Sequence, residues 1–382
     1  MNIKVRKTCR LCGMNNLAPV LSLGEQFVVN FVDGHKKELI KGPLELVLCE
    51  TKNGGCGLLQ LKHTLDRDIL YRKYWYKSGV STEMVKFLRN VVKSTEDLVK
   101  LKPGDLVIDI GSNDSTLLKQ YKAVGIIKVG FEPSNLWEFG LSEDIRIIHD
   151  YFSYDSFVKE FGEKKAKIIT SIAMFYDLED PNEFVTDIEK CLDKNGIWII
   201  QMNYLGLMLK NNTFDNITHE HLEYYCLLSL ENLLKRHNME AFDVKLNEVN
   251  GGSFRIYIKH KNGNIKGFNN ANQRLEKLRK YEKTIGLLDE KVYEEYEKRI
   301  NKIKYDVVNF LKRELEKGKK IFIYGASTRG LSFLQYAGID NKLIETAIDK
   351  NPDKWGKYIV GTGIPIISVS YTHLTLPTTP YV

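Results

Sequence analysis

The chain has 382 residues, a length that at about 150 residues per domain points to two or three domains. Apolar residues make up 43% and charged residues 27%, the balance of a globular protein, which excludes wholesale disorder, collagen and coiled coil. Lys and Arg outnumber Asp and Glu by 56 to 49, a net charge of +7 that is spread along the chain, so it suggests anionic ligands and gives no argument for nucleic acid.

No stretch of about 18 apolar residues exists, so no membrane-spanning helix is expected. The start, MNIKVRKTCRLCG, has no apolar signal core, and the expected location is cytoplasmic. In such a compartment six cysteines are not expected to form disulfides. Four of the six fall in the first 56 residues. Residues 1–65 carry only brief apolar runs and read as a small β-rich module that needs a staple. Cys9-x2-Cys12 and Cys49-x6-Cys56 supply one: four thiolates satisfy a tetrahedral Zn2+ ion and leave no open position for catalysis.

Residues 66–102 read as helices, with an apolar stripe of Met84, Leu88, Val91, Val92, Leu98 and Val99 that stops at Lys102-Pro103-Gly104. Short apolar runs then alternate with helical patterns: 106–110, 127–131, 145–148, 167–172 and 196–201. That alternation predicts an α/β fold with a doubly wound parallel sheet. The runs 241–246 and 254–260, joined by Asn250-Gly251-Gly252, are expected to close it as an antiparallel pair. Residues 266–318 read as a helical connector with one buried stripe and a solvated charged face. From 319 to 368 a second α/β unit begins, Rossmann-like in its strand, Gly-flanked turn, helix and strand. The end, VSYTHLTLPTTPYV, reads like translated sequencing-adapter sequence, so residues 369–382 are expected to be non-native.

Three further clusters carry chemistry. In VIDIGSNDSTLL, a strand runs through Asp109 into Gly111, where the backbone can approach a ligand. The loop lacks G-x-G-x-x-G, which favours an adenosyl cofactor over a dinucleotide. Glu132, at the end of the next run, is placed to accept hydrogen bonds from ribose hydroxyls. In His219-Glu220-His221 a neutral imidazole can act as general base beside a carboxylate. The i, i+2 spacing does not suit a metalloprotease. In Tyr324-Gly-Ala-Ser327-Thr-Arg329-Gly330, helix-terminal amides and a guanidinium suit a phosphate, with Asp349 at the next strand end.

With these motifs the chain resembles the sugar C-methyltransferases that act on nucleotide-linked keto-deoxysugars. The resemblance covers residues 5 to about 368. It rests on Cys-x2-Cys with C-G-L-L-Q-L, Tyr74-x-Tyr76-x-Ser78-Gly79, D-I-G-S-N-D, F-E-P-S, M-F-Y-D-L-E-D-P, H-E-H-L-E-Y-Y, Gly251-Gly252-Ser253-x-Arg255 and Y-G-A-S-T-R-G. It implies three parts: a zinc module (1–65), a class I S-adenosylmethionine domain (66–265) and, after the connector, a truncated Rossmann-like substrate domain (319–368). The resemblance implies that Asp109, Gly111, Asn113, Asp114, Glu132, Pro133 and Met174 hold the cofactor. It makes His221 the base, with Glu220 assisting and Tyr76 or His219 steadying an oxyanion. Ser253, Arg255, Ser327, Arg329 and Gly330 would bind a nucleotide sugar lying between the middle and C-terminal parts.

The chain departs from the family pattern in the x6 between Cys49 and Cys56, and in Ser115, Tyr176, Thr218 and Arg329. The implied activity is transfer of a methyl group to a carbon beside a keto group through an enolate. Sugar O-methylation and a nicotinamide-dependent dehydrogenase or epimerase are the rival enzymes, and a nucleic-acid-binding knuckle is the rival binding module. The expected partner is a small-molecule nucleotide sugar, with no nucleic acid and no membrane, and the chain is taken as a monomer.

Overall fold

The computed structural model describes residues 3–28, 31–33, 39–72 and 74–369, so the tail from 370 onward lies outside the described residues. Packing divides the chain into two units, one made of Met1–Val20, Leu46–Asn211 and Glu220–Glu294, the other of Leu21–Glu45, Asn212–His219 and Glu295–Val382.

In chain order the main elements begin with β1 (Leu17–Phe27), β2 (Lys41–Cys49), β3 (Leu59–Leu61), α1 (Arg67–Tyr71) and α2 (Thr82–Leu98). The run Tyr74–Val80 between the two helices is irregular apart from one turn at its end. Ser81 caps α2 by accepting from the Met84 N–H at 3.3 Å. Leu88, Val91, Val92 and Val99 of the expected stripe are buried, with Met84 and Leu98 packed at its edge.

The first unit's large sheet is built from β4 (Leu106–Ile110), β5 (Ile127–Phe131), β6 (Ile145–Ile148), β7 (Ala166–Ile172) and β8 (Leu192–Asn203). Helix α3 (Tyr154–Phe161) precedes β7 and α4 (Pro181–Cys191) precedes β8. Two later strands, β10 and β11, complete it once β9 (Glu223–Tyr224) and α5 (Leu227–Arg236) have passed: β10 is Met239–Asn247 and β11 is Ser253–His260. The strand order is β10-β11-β8-β7-β4-β5-β6, with β4 to β8 parallel and the last pair antiparallel, as expected for residues 241–246 and 254–260. All five residues of β4 are buried, as a central parallel strand covered on both faces requires. The order reverses between β4 and β7, so the crevice at the carboxyl end of β4 is the place for a ligand.

A smaller sheet carries the cysteine module. β3 pairs with β2 (Val47 opposite Gln60) and with β9 (Glu223 opposite Gln60). The Glu-Tyr of H-E-H-L-E-Y-Y is therefore a strand of the zinc module's sheet, a pairing that the sequence pattern alone does not show.

After β11 come α6 (Ala271–Thr284) and α7 (Glu290–Glu316), separated at Gly286 in a left-handed conformation. Glu282 of α6 is fully buried, and its carboxylate accepts from the Leu227 and Leu228 N–H groups at 2.7 and 2.9 Å. It thus caps α5 from another helix, and those two amides have no other acceptor in reach of the helix itself. Glu282→Ala should cost about 2–3 kcal/mol in urea unfolding, the penalty for orphaned buried donors. Glu282→Gln, which keeps one acceptor, should cost less than half of that.

The second unit contains a parallel sheet of β12 (Phe322–Tyr324), β13 (Thr346–Asp349) and β14 (Ile366–Ser368), with α8 (Thr328–Ala337) following β12. Gln335 of α8 exchanges hydrogen bonds with the Phe27 backbone at 2.7 and 3.3 Å. That pairing explains why Leu21–Glu45 groups with the second unit although its ends are in the cysteine module.

Candidate functional site

The four cysteines converge. Their sulfurs all lie within 4.8 Å of one another, with Cys9 to Cys56 at 3.6 Å and Cys12 to Cys49 at 3.4 Å. Sulfurs at the corners of a tetrahedron with Zn–S near 2.3 Å stand about 3.8 Å apart, so the donor set fits zinc. The two limbs are built alike. Gly13 and Gly57 follow the second cysteine of each pair with φ of 76° and 75°, and each donates to the carbonyl of the first cysteine at 3.0 Å. The Leu11 and Cys56 amides donate to the Cys9 and Cys49 sulfurs at 3.4 Å. The x6 spacing is absorbed by a short turn at Thr51–Asn53 ending in left-handed Gly54. A Cβ at Gly55 would come within 2.6 Å of the Cys49 sulfur, so that position admits only glycine. Without a cation the thiols work against each other: hydrogen bonds from Cys49 and Cys56 draw Cys9 down to about 2, and hydrogen bonds to Cys49 and Cys9 push Cys56 far up. A divalent cation removes that conflict.

The cofactor candidates meet at the ends of β4 and β5, all in the first unit. Gly111 has φ 71°, and a Cβ there would lie 3.2 Å from Met174 Cγ. Asp109 is buried beneath the loop, accepts from Thr170 Oγ1 at 2.6 Å, and is pushed up to about 8 by burial. The Glu132 carboxylate accepts from the Asn113 and Ser134 amides at 2.6 and 2.9 Å, which fixes it across the mouth of the loop. The Pro133 carbonyl accepts from Arg72 at 3.1 Å. Asn113 and Asp114 also bind the segment before α2. Asn113 Nδ2 donates to the Tyr76 carbonyl at 2.9 Å, its Oδ1 accepts from Ser78 N at 3.0 Å, and Asp114 Oδ2 accepts from Gly79 N at 2.7 Å. The segment 74–79 is thereby laid over the loop.

Beside this cradle is a cluster of acids and phenols, also in the first unit. The Tyr176 ring meets the His221 ring edge to face at 4.3 Å. Leu222 N donates to the Tyr176 carbonyl at 2.8 Å, and Tyr71 OH donates to the Glu220 carbonyl at 2.7 Å. Burial pushes the Glu220 carboxyl up to about 7. Burial, then the charges of Glu220 and Glu223, holds Asp177 well above its ordinary range, and its buried Oδ1 has no hydrogen-bond partner among the described residues. Burial and these acids likewise raise the Tyr71 and Tyr74 phenols. Tyr76 is 45% exposed, and burial of the rest of its ring raises its phenol. Reasoning from sequence singled out neither Asp177 nor Tyr71 and Tyr74 as site residues. The M-F-Y-D and Tyr74-x-Tyr76 motifs were the available signal, but spacing cannot say which side chain turns inward.

Six residues expected at the site have partners of their own. His219 falls in the second unit, is 4% exposed, and donates through Nε2 to the Gly42 carbonyl at 2.9 Å. Arg255 is 4% exposed and donates to Gln201 and Asn90 at 3.1 Å and to Ser94 at 3.2 Å, over the Phe87 ring. It braces β11 against α2. Ser253 is 1% exposed and donates to the Val249 carbonyl at 2.8 Å. Ser327 caps α8 by accepting from Gly330 N at 3.0 Å. Arg329 pairs with Asp215 at 2.8 Å within the second unit and keeps a third of its side chain exposed. Asp349 accepts from the Ala326 amide at 2.8 Å and pairs with Lys354.

Comparison with known proteins gives three family matches in succession: a zinc binding domain over residues 9–71, a methyltransferase domain over 84–243 and a C-methyltransferase C-terminal domain over 248–381. The C-methyltransferase NovU of Streptomyces niveus is 26% identical over 370 residues, covering 94% of this chain and 85% of that protein. Similar solved structures include the plantazolicin methyltransferase BpumL in complex with SAH, 14% identical over 50% of this chain and 87% of that one, with a TM-score of 0.36. Another is the YcgJ protein of Bacillus subtilis, 12% identical over 45% and 95%, also with a TM-score of 0.36. No helix among the described residues is long and apolar enough to cross a membrane.

Proposed function

We propose that this S-adenosylmethionine-dependent C-methyltransferase, a member of the family whose three domains it carries in order, methylates the carbon beside a keto group of a nucleotide-linked deoxysugar. The observation that carries the reading is the placement of the His221 and Glu220 cluster next to the cofactor cradle. Met174 abuts Gly111, and two residues on Tyr176 abuts His221. A base there can act on an acceptor that faces the cofactor. The match to a methyltransferase domain supports this reading over the nicotinamide-dependent alternative.

In this reading Gly111, Met174 and Glu132 hold the cofactor, the carboxylate of Glu132 taking the ribose hydroxyls. When bound, S-adenosylmethionine supplies a methyl group on a positively charged sulfur to the nucleophilic carbon. The chain's own residues make that carbon nucleophilic. A keto group acidifies the neighbouring C–H, and His221 takes the proton. The bond's electron pair moves toward the keto oxygen, giving an enolate. Tyr76, its phenol kept protonated by partial burial, donates to that oxygen. The Tyr176 ring abuts the imidazole and Glu220 is assigned an assisting role, so alignment contributes much of the rate. In the second unit, Arg329 and the first amides of α8 are assigned a phosphate of the nucleotide.

The test is incubation with methyl-labelled S-adenosylmethionine and a panel of nucleotide keto-deoxysugars, followed by mass spectrometry and product NMR. The expected product carries the label as a methyl on carbon. Label on oxygen, or no label from any keto-sugar, would sink the assignment.

A further inference from the structure

The segment 74–80 lies over the cofactor loop, with the Tyr74 phenol buried and Lys77 Nζ over the Phe139 ring at 4.0 Å, while its tip is open. Val80 is 77% exposed and Tyr76 is 45% exposed. Backbone groups attach it to the cofactor loop and its neighbour. Tyr74 N donates to Asn135 Oδ1 at 2.8 Å, the Tyr76 carbonyl and Ser78 N bracket the Asn113 amide, and Gly79 N donates to Asp114 Oδ2 at 2.7 Å. Of these, the Asp114 bond is the one made to a charged group, and such bonds are roughly twice as strong as neutral ones.

Asp114 is itself 8% exposed and spoken for. Its other oxygen accepts from Thr116 Oγ1 at 2.5 Å and Thr116 N at 3.2 Å. Both oxygens thus accept hydrogen bonds from within the protein. The fit is close from the other side as well: a Cβ at Gly79 would stand 2.9 Å from Asp114 Oδ2 and 3.0 Å from Thr116 Oγ1.

We propose that Asp114 is a positioning residue, which clamps the 74–80 strap to the cofactor loop through the Gly79 N–H and so sets the place of Tyr76 over the acceptor. The same short loop then carries the cofactor at Gly111 and the acceptor-side phenol at one remove. The role of Tyr76 rests on the proposed function; the clamp itself does not.

Two variants open the clamp from opposite sides. Asp114→Asn leaves one carbonyl oxygen, which can serve Gly79 or Thr116 but not both. Gly79→Ala changes no residue of the cofactor loop, and Gly79 does not use a left-handed conformation, so the strain of the added Cβ falls on its contact with Asp114 and Thr116. The readouts are the rate of tryptic cleavage after Lys77, followed by mass spectrometry, and the Kd for S-adenosylmethionine by calorimetry. Both variants should be cleaved at least tenfold faster than the wild type while the Kd stays within threefold. With any acceptor that the wild type uses, KM for that acceptor should rise about tenfold and KM for the cofactor should not. Cleavage at the wild-type rate in both variants would overturn the proposal. So would a tenfold weaker cofactor Kd in Asp114→Asn alone, which would make Asp114 a cofactor contact. The cleavage readout needs no acceptor, so an error in the sugar assignment cannot be mistaken for failure of the clamp.

Discussion

Replacement of His221 by Asn is expected to lower methyl transfer by about 10²–10⁴-fold, the usual worth of a positioned general base. The Kd for S-adenosylmethionine should change by less than about threefold, because His221 contacts the Tyr176 ring rather than the β4–β5 crevice. Single-turnover rates and calorimetry separate the two quantities. Asn keeps a polar side chain of similar size, so the loss reports basicity and not packing. Turnover within about threefold of wild type would remove His221 from the role of base. The pH dependence adds an independent check. Burial lifts Glu220 to about 7 from an ordinary value of 4.5. A carboxylate that stabilises the imidazolium must be ionised to do so, and this one ionises only as pH rises through about 7. The rate should therefore climb between pH 6 and 8, and Glu220→Gln should flatten that limb and lower its plateau. For stability the sign is opposite. A raised carboxyl pKa favours folding below the unfolded value and loses that advantage as pH rises through 7, so Glu220→Gln should be less destabilised than wild type at pH 8.

The parallel core was legible because it depends on local pattern. Runs such as LVIDI and IKVGF must be strands where both faces are buried, and β4 and β5 match them residue for residue. The four thiols were legible because a small module crowded with cysteines has few other ways to become stable. What escaped were facts set by side-chain direction or by distant pairing. Arg255 sits in a motif that reads as a binding site, yet its strand register points it toward α2, where Asn90 and Ser94 take its guanidinium. His219 and His221 are two residues apart, yet the chain leaves one unit for the other at that point, and only His221 stays with the acids. The resemblance places Asp114 in the cofactor loop, and its bond to Gly79, 35 residues earlier, is a pairing that no local spacing shows. Glu282 gave no signal at all, because capping a helix from another helix has no spacing rule.

Loss of zinc should be felt well beyond the cysteine module. Cys49→Ser is expected to bind less than about a tenth of an ion per chain, against about one in the wild type by elemental analysis. Structural zinc supplies on the order of 10 kcal/mol or more to small modules, so three ligands and a hydroxyl should not hold the module together at neutral pH. The consequence for activity follows from the small sheet. β9 is paired to β3, Leu61 N donates to the Leu222 carbonyl at 2.8 Å, and Arg10, inside the first knuckle, donates to the Leu61 carbonyl and to Thr64 Oγ1. Residues 222–224 are thus held by the module, and His221 and Glu220 come directly before them. Releasing the module should free the base while leaving the β4–β5 crevice on its own sheet. Turnover should fall at least a hundredfold in Cys49→Ser or after chelation, the urea midpoint of the module should drop, and cofactor binding should survive within about fivefold. If cofactor binding and turnover fell together, the metal would be supporting the whole first unit. If neither changed after the ion was removed, the coupling through β9 would be refuted.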